Sequence, residues 1–164
     1  MGEPFIVRAA TLDDYGSMCA LLGEVDELHR LNAPWLFRKP STDPRSKAFF
    51  EQLLGSEDAT VLVADATGHI VGVAIALMRS SPDFAVFVSQ TWGVLDNIAV
   101  SKSWRRRGVG TALTRNAERW VQGRGAKWIE LGVYEFNAGA RSFYQTLGYG
   151  PVSTKLRKPF NEAS

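Results

Sequence analysis

Trp104-Arg105-Arg106-Arg107-Gly108-Val109-Gly110-Thr111-Ala112-Leu113 stands between two patterns. Before it, Val94 to Val100 is a β-type apolar run; after it, Val109 to Val121 repeats its apolar residues at helical spacing. Two glycines therefore fall where strand becomes helix. The first N–H groups of a helix have no intrahelical partner and carry partial positive charge, so this junction has the makings of a pyrophosphate cradle. Arg105, Arg106 and Arg107 add cationic groups that can meet phosphate oxygens. Gly-x-Gly-x-x-Gly fails at Leu113, and no Gly-Lys-Ser/Thr follows, so neither a dinucleotide fingerprint nor a Walker loop is present.

Outward from this stretch, helical and strand patterns alternate. Phe5–Ala10 reads as a strand, and Thr11 with Asp14 reads as the capping box of a helix whose apolar stripe holds Leu12, Tyr15, Cys19 and Leu22. Cys19 on that stripe reads as a buried structural thiol. Pro34 and Pro40 interrupt an aromatic segment, 24–40, which packs as a connection or lines a pocket. Asp43-Pro44 reads as the start of a second helix with Phe49, Phe50, Leu53 and Leu54 on one face, closed by Gly55. Thr60–Ala64 and Ile70–Met78 form a hairpin around a turn at 65–69, with His69 on the surface.

Strands are expected at Phe84–Val88 and Gly93–Val100. Alternation in the latter sets Val94, Asp96, Ile98 and Val100 on one face and Leu95, Asn97 and Ala99 on the other. After the glycine loop and its helix, Trp128–Val133 returns as a strand parallel to 93–100 through a βαβ connection. Asn137–Leu147 is a last helix closed by Gly148, and Val152–Leu156 a last strand. The sum is a mixed, mostly antiparallel α/β sheet with helices on both faces.

The 164 residues suit one domain, 1–164, with a real core: 45% are hydrophobic and 22% charged. A net charge of +2 argues against nucleic acid as the partner, since the basic character is local to Arg105–Arg107. A single cysteine excludes an intrachain disulfide framework, and His29, His69 and Cys19 are too scattered for a metal site of usual spacing. No apolar run reaches the roughly 18 residues of a membrane span and no leader pattern opens the chain, so a cytoplasmic location away from membranes is expected.

Three segments together resemble the GCN5-related N-acetyltransferases, the GNAT superfamily. Leu95-Asp96-Asn97-Ile98-Ala99-Val100 followed by Arg105-x-x-Gly108-x-Gly110 is similar to the family's Gln/Arg-x-x-Gly-x-Gly/Ala motif and the strand before it. Trp128-Ile129-Glu130-Leu131-Gly132-Val133 looks like the strand after the motif helix. Asn137-x-x-Ala140-x-x-Phe143-Tyr144-x-x-x-Gly148-Tyr149 is similar to the family's closing segment. The strong match covers about residues 93–149. Lys102 stands where a proline is common, and Arg106 where another glycine is common.

The resemblance implies a splayed parallel pair, strands 93–100 and 128–133, with acetyl-CoA between them as co-substrate. Backbone groups of Ile98, Ala99 and Val100 then pair with the pantetheine arm, and residues Arg105, Arg106, Arg107, Gly108, Val109, Gly110 and Thr111 cradle the pyrophosphate. Asn137 caps its helix and contacts CoA. Tyr144 is the implied acid beside the sulfur, and a backbone N–H near Ile98 the oxyanion donor. Asp96 is the first candidate for the base; Glu130, Glu135 or a water chain are alternatives. The implied reaction is direct acetyl transfer to a primary amine of a small molecule or peptide, with no metal. The alternative is a catalytically silent acetyl-CoA-binding regulatory module. The segments 24–40 and 79–92 are expected to shape the acceptor pocket, with Trp35, Phe37, Phe84, Phe87 and Trp92 as an aromatic wall and Glu24, Asp26 and Glu27 as acidic groups suited to a cationic amine. A homodimer is left open.

Overall fold

A computed structural model describes residues 4–160. The chain divides into two compact units, Met1–Gly132 and Val133–Ser164.

The first unit holds β1 (Ile6–Ala9), a 3-10 turn (Leu12–Asp14), α1 (Tyr15–Asn32), α2 (Lys47–Leu54), β2 (Ala59–Ala66), β3 (His69–Ser80), β4 (Thr91–Val100), a second 3-10 turn (Lys102–Trp104), α3 (Val109–Gly123) and β5 (Ile129–Glu130). The sheet order is β1-β2-β3-β4-β5. The pairs β1–β2, β2–β3 and β3–β4 are antiparallel, and β4–β5 is parallel. The β2–β3 hairpin turns through Thr67 and Gly68, both left-handed at φ 52° and 89°, the conformation that matches strand twist. Asp65 Oδ1 accepts from the Gly68 N–H at 2.7 Å and fixes the turn.

Each sheet face has its own helical cover. Met18, Leu21 and Leu22 of α1 and Phe50 of α2 are buried with Val61, Val63, Val73, Ile75 and Ala99. Side chains alternate along a strand, so Gly72, next to Val73, points to the opposite face. There α3 lies against the sheet. A Cβ on Gly72 would stand 2.9 Å from both Leu113 and Val109, and one on Gly93 only 2.6 Å from Val121. The two glycines thus let α3 rest directly on β3 and β4, which fixes where the helix begins.

At the far edge, Arg8 on β1 bonds both Asp14 oxygens (2.8 and 2.9 Å) and Asp65 on β2 (3.0 Å). Asp14 also accepts from the Thr11 N–H at 2.9 Å. One guanidinium therefore ties the sheet edge to the turn that starts α1. Cys19 on α1 is half-buried rather than buried, and burial raises its thiol pKa.

Four expectations are corrected. The second helix starts at Lys47 with Ser46 as its cap, not at Asp43-Pro44. Arg45 is held by Asp26 at 2.6 and 3.0 Å while its carbonyl accepts from the Tyr15 hydroxyl, which ties the bend at 44–45 to α1 and leaves the extended Ser46 to start the helix. Phe84–Val88 is a loop, not a strand. The Ser81 hydroxyl donates to Val88 O and Gln90 O and closes its base, so Phe84, Val86, Phe87 and Val88 stay exposed without a sheet to join. The strand expected at 128–133 shortens to Ile129–Glu130. Val152–Leu156 is irregular and exposed.

The second unit contains α4 (Ala138–Thr146). Asn137 Oδ1 accepts from the Ala140 N–H at 3.1 Å, which makes it the N-cap. Among the described residues no helix is long and apolar enough to cross a membrane.

Candidate active site

The β3–β4 register skips one residue. Ile75 faces Asn97 and Ala76 faces Leu95, so Asp96 is the extra residue of a β-bulge. Two consequences follow. The side-chain faces change phase: partners on an antiparallel pair share a face, so Gly93, Leu95, Ile98 and Val100 point to the α3 side, and Val94, Asn97 and Ala99 to the α1 side. The uninterrupted alternation expected from the sequence is therefore wrong between Leu95 and Asn97. Asn97 Nδ2 donates to Asp96 Oδ2 at 2.7 Å, a contact that neighbours on opposite faces of a regular strand do not make.

The second consequence concerns the backbone. The Gly93 N–H donates to Trp128 O at 2.9 Å, so it points to the β5 side. The Ser101 N–H donates to Val71 O at 2.9 Å, so it points to the β3 side. Peptide groups alternate between the two edges. Counting back from Ser101, Ala99 turns to β3, and Val100 and Ile98 turn to the β5 side. Pairing with β5 ends at Val94–Glu130. Ile98 and Val100 thus present main-chain groups on a side where the described ladder has already stopped.

Beyond β4 the chain turns sharply. Arg105 is extended (φ −66°, ψ 151°), Arg106 is left-handed at φ 60°, and Gly108 is left-handed at φ 83° as the cap of α3. The position held by Arg106 is thus one that glycine adopts freely and an L-residue does not. The Ala112 N–H bonds back to Gly108 O at 2.9 Å, so the N–H groups of Val109, Gly110 and Thr111 precede the first intrahelical bond. The three arginines have different environments. Arg105 Nε donates to Val100 O at 3.1 Å and its terminal nitrogen to Glu24 at 3.3 Å. Arg107 lies 5.2 Å over the Trp104 ring. Arg106 is exposed.

In the second unit, Tyr144 is 8% exposed, with the rings of Phe143 and Tyr149 edge-on at 5.1 and 5.5 Å. Burial pushes its phenol up to about 12, so it stays protonated across neutral pH.

The acidic groups expected to receive a cationic acceptor are otherwise engaged. Glu24 pairs with Arg105, Asp26 with Arg45, and Glu27 with Arg30. Phe37 stacks on His29 at 5.2 Å. The bulge and the three ion pairs were not anticipated. The one available signal for the bulge was the adjacent polar pair Asp96-Asn97 inside an apolar strand. Among the described residues no group of three His, Cys, Asp or Glu side chains is placed to hold a metal.

A sheet with a parallel β4–β5 pair, a bulge on β4 and a glycine turn into the next helix is the setting of an acyl-CoA-dependent transferase. Residues 25–149 match the Acetyltransferase (GNAT) family, and the chain belongs to that family. It is an acyltransferase enzyme. The uncharacterized N-acetyltransferase YhfO of Bacillus subtilis is 24% identical over 143 residues, 87% of this chain and 88% of its own. Two solved structures establish the fold. A tetramutant of a Bacillus halodurans protein superposes with a TM-score of 0.89 at 24% identity, covering 94% of this chain and 99% of that one. An aminoglycoside N-acetyltransferase in complex with CoA superposes with a TM-score of 0.72 at 18% identity, covering 95% and 99%.

Proposed function

We propose that residues 1–164 form one domain that transfers the acetyl group of acetyl-CoA directly to a primary amine of a small molecule or peptide. The observation that carries this reading is the reversal at Asp96, which turns the peptide groups of Ile98 and Val100 away from β3 and beyond the end of the β4–β5 ladder. Unpaired N–H and C=O groups on a strand edge satisfy the amides of an extended ligand as a neighbouring strand would. The pantetheine arm has that amide spacing. Arg105 already bonds the Val100 carbonyl, so at Val100 the N–H is the group left for the ligand.

The pyrophosphate then sits on the main chain of Arg105–Thr111, where the N–H groups of Val109, Gly110 and Thr111 and the start of α3 favour negative charge. Arg106 and Arg107 supply side-chain charge; Arg105 contributes its main chain, its guanidinium being held by Glu24 and Val100. Asn137 contacts CoA while capping α4.

In the transfer, the amine must lose a proton before its lone pair attacks the thioester carbon. Asp96 accepts that proton, directly or through water. The C–N bond forms, the C–S bond breaks, and the thiolate leaves with a proton from the Tyr144 hydroxyl. A backbone N–H at the bulge, near Ile98, is aimed at the oxyanion.

Calorimetric titration with acetyl-CoA, followed by thiol release with a panel of amines, tests the whole reading. The expected result is saturable binding and amine-dependent release. Gly110→Glu places bulk and negative charge in the cradle and lowers acetyl-CoA affinity roughly a hundredfold, about 2.7 kcal/mol. Unchanged affinity in a folded Gly110→Glu protein removes the cradle from the mechanism.

A further inference from the structure

Trp92 on β4 and Trp128 just before β5 stack at 5.5 Å with their planes 12° apart. Each indole N–H donates 3.1 Å to a different oxygen of Glu130: Trp92 to Oε1, Trp128 to Oε2. Two parallel rings thus grip one carboxylate from its two ends. Among the described residues these two neutral indoles are the partners of Glu130, whereas Glu24, Asp26 and Glu27 each face an arginine. Glu130 therefore keeps an uncompensated negative charge in a fixed orientation. A carboxylate has about four lone-pair sites, and the indoles use two.

The cluster is also placed for the reaction. Trp92 pairs with Arg79 and Glu130 with Val94, one residue out of phase with Gly93, so Trp92, Val94 and Glu130 share the α1 side of the sheet with Asn97 and the bulge. Trp128 is 40% exposed, which leaves aromatic surface open beside the charge. Arg79, the one cation opposite Trp92, donates back to Met78 O at 3.2 Å.

We propose that Trp92, Trp128 and Glu130 form the acceptor subsite, which selects substrates carrying a second, non-reacting cationic group. This rests on the acetyltransferase reading above and names its substrate class: amines with a distal ammonium. An aromatic surface beside a fixed carboxylate attracts a cation through the ring quadrupole and through charge, and more strongly where water is partly excluded. The fork of indole N–H bonds holds Glu130 as an anion-shaped acceptor and keeps it from folding onto a surface lysine or arginine.

Two probes of equal shape separate charge from bulk: (2-aminoethyl)trimethylammonium and 3,3-dimethylbutylamine. Thiol release gives kcat/KM for each in the native enzyme, Glu130→Gln and Trp128→Ala. The different basicities of the two amines cancel when their ratio is compared between proteins. The charged-to-neutral ratio falls about tenfold in Glu130→Gln and about fivefold in Trp128→Ala, in line with a fixed ion contact and one ring contact. A purely structural clamp on the β4–β5 junction lowers both amines alike and leaves the ratio unmoved, which overturns the proposal. In a parallel titration of ¹⁵N-labelled protein, choline shifts the indole N–H resonances of Trp92 and Trp128 and its uncharged isostere 3,3-dimethylbutan-1-ol does not. Stationary resonances overturn the proposal even where neither amine is acetylated. Acetyl-CoA calorimetry on the same variants keeps the two readings apart: its affinity is unchanged by both substitutions, and its failure in the native protein strikes the acetyltransferase reading, while the resonance shifts test the cation subsite by themselves.

Discussion

The two halves of β4 have opposite fates. From Thr91 to Leu95 the strand is enclosed: β3 on one edge, β5 on the other, α3 pressed on Gly93, and the indole–carboxylate cluster above the opposite face. From Asn97 to Val100 it keeps β3, but the pairing with β5 has ended. One inserted residue, Asp96, separates them. The bulge reverses which peptide groups look outward, so a strand paired on both edges in its first half becomes, in its second, the edge proposed to take the ligand. Both halves are apolar and similar in composition; what differs is phase.

The enclosed half is the easiest to break. Gly93→Val puts a branched side chain where Val121 already lies 2.6 Å from a bare Cβ. Either α3 moves off the sheet or β4 bends, and overpacking of this kind costs about 3 kcal/mol. Chemical denaturation reads the loss. A variant as stable as the native protein disproves the close seating of α3 on β4.

The second test asks whether the ligand edge binds independently of the chemistry. Tyr144→Phe removes the proposed proton donor, and turnover falls about a hundredfold, while acetyl-CoA affinity measured by calorimetry stays within twofold. Because the phenol is pushed up to about 12, the native rate shows no decline from its ionisation up to about pH 10. A fall in activity with an apparent pKa near 8 that vanishes in Tyr144→Phe rules out this protonation state.

Acid probes the far edge of the same sheet, where the ties titrate instead of being main-chain bonds. Hydrogen bonding to Arg8 holds the Asp14 carboxyl below its ordinary value, against the opposing effect of burial. A depressed folded pKa contributes stability that is present above the unfolded value and lost as pH falls through the folded one. Asp14→Asn therefore costs about 1–2 kcal/mol at pH 7, with Arg8 one-third exposed and the cost reduced by solvent accordingly. As pH falls through that lowered folded-state value the native protein loses the same bond, and the two denaturation curves converge.

How much of this was readable beforehand follows from where each signal lives. The β2–β3 hairpin, the glycine turn into α3 and the Asn137 cap were legible because turns and caps are set by residues a few positions apart. The helix start at 43–44 and the strand at 84–88 were misplaced because long-range partners decided them: Asp26 and Tyr15 hold Arg45, and Ser81 closes the loop before Phe84 can pair. The bulge fell between the two cases. Its mark is local, the Asp96-Asn97 pair, but its effect is the phase of everything downstream, which no periodicity over seven residues reveals. The acidic residues of α1 looked like a rim for a cationic acceptor. Charge alone did not disclose that Arg105, Arg45 and Arg30 are folded against them.

The smallest effect concerns the turn that joins the proposed ligand edge to the proposed cradle. Arg106 is left-handed at φ 60°, where an L-residue costs about 1–2 kcal/mol and glycine nothing. Arg106→Gly removes that strain, but the extra freedom of the unfolded chain offsets it by about 0.4–1 kcal/mol. The net change in stability thus lies between about 0 and 1.6 kcal/mol in favour of the variant. The substitution therefore separates charge from backbone geometry in the cradle. If the guanidinium meets a phosphate, acetyl-CoA affinity falls about fivefold at low ionic strength, and the difference closes as salt screens an exposed contact. If affinity is unchanged at every salt concentration, the N–H groups of Val109–Thr111 and the start of α3 carry the pyrophosphate alone. The arginine would then stand at a glycine position without contributing to the ligand, and the comparison within β4 would extend into the turn: main-chain phase, not side-chain charge, makes the binding edge.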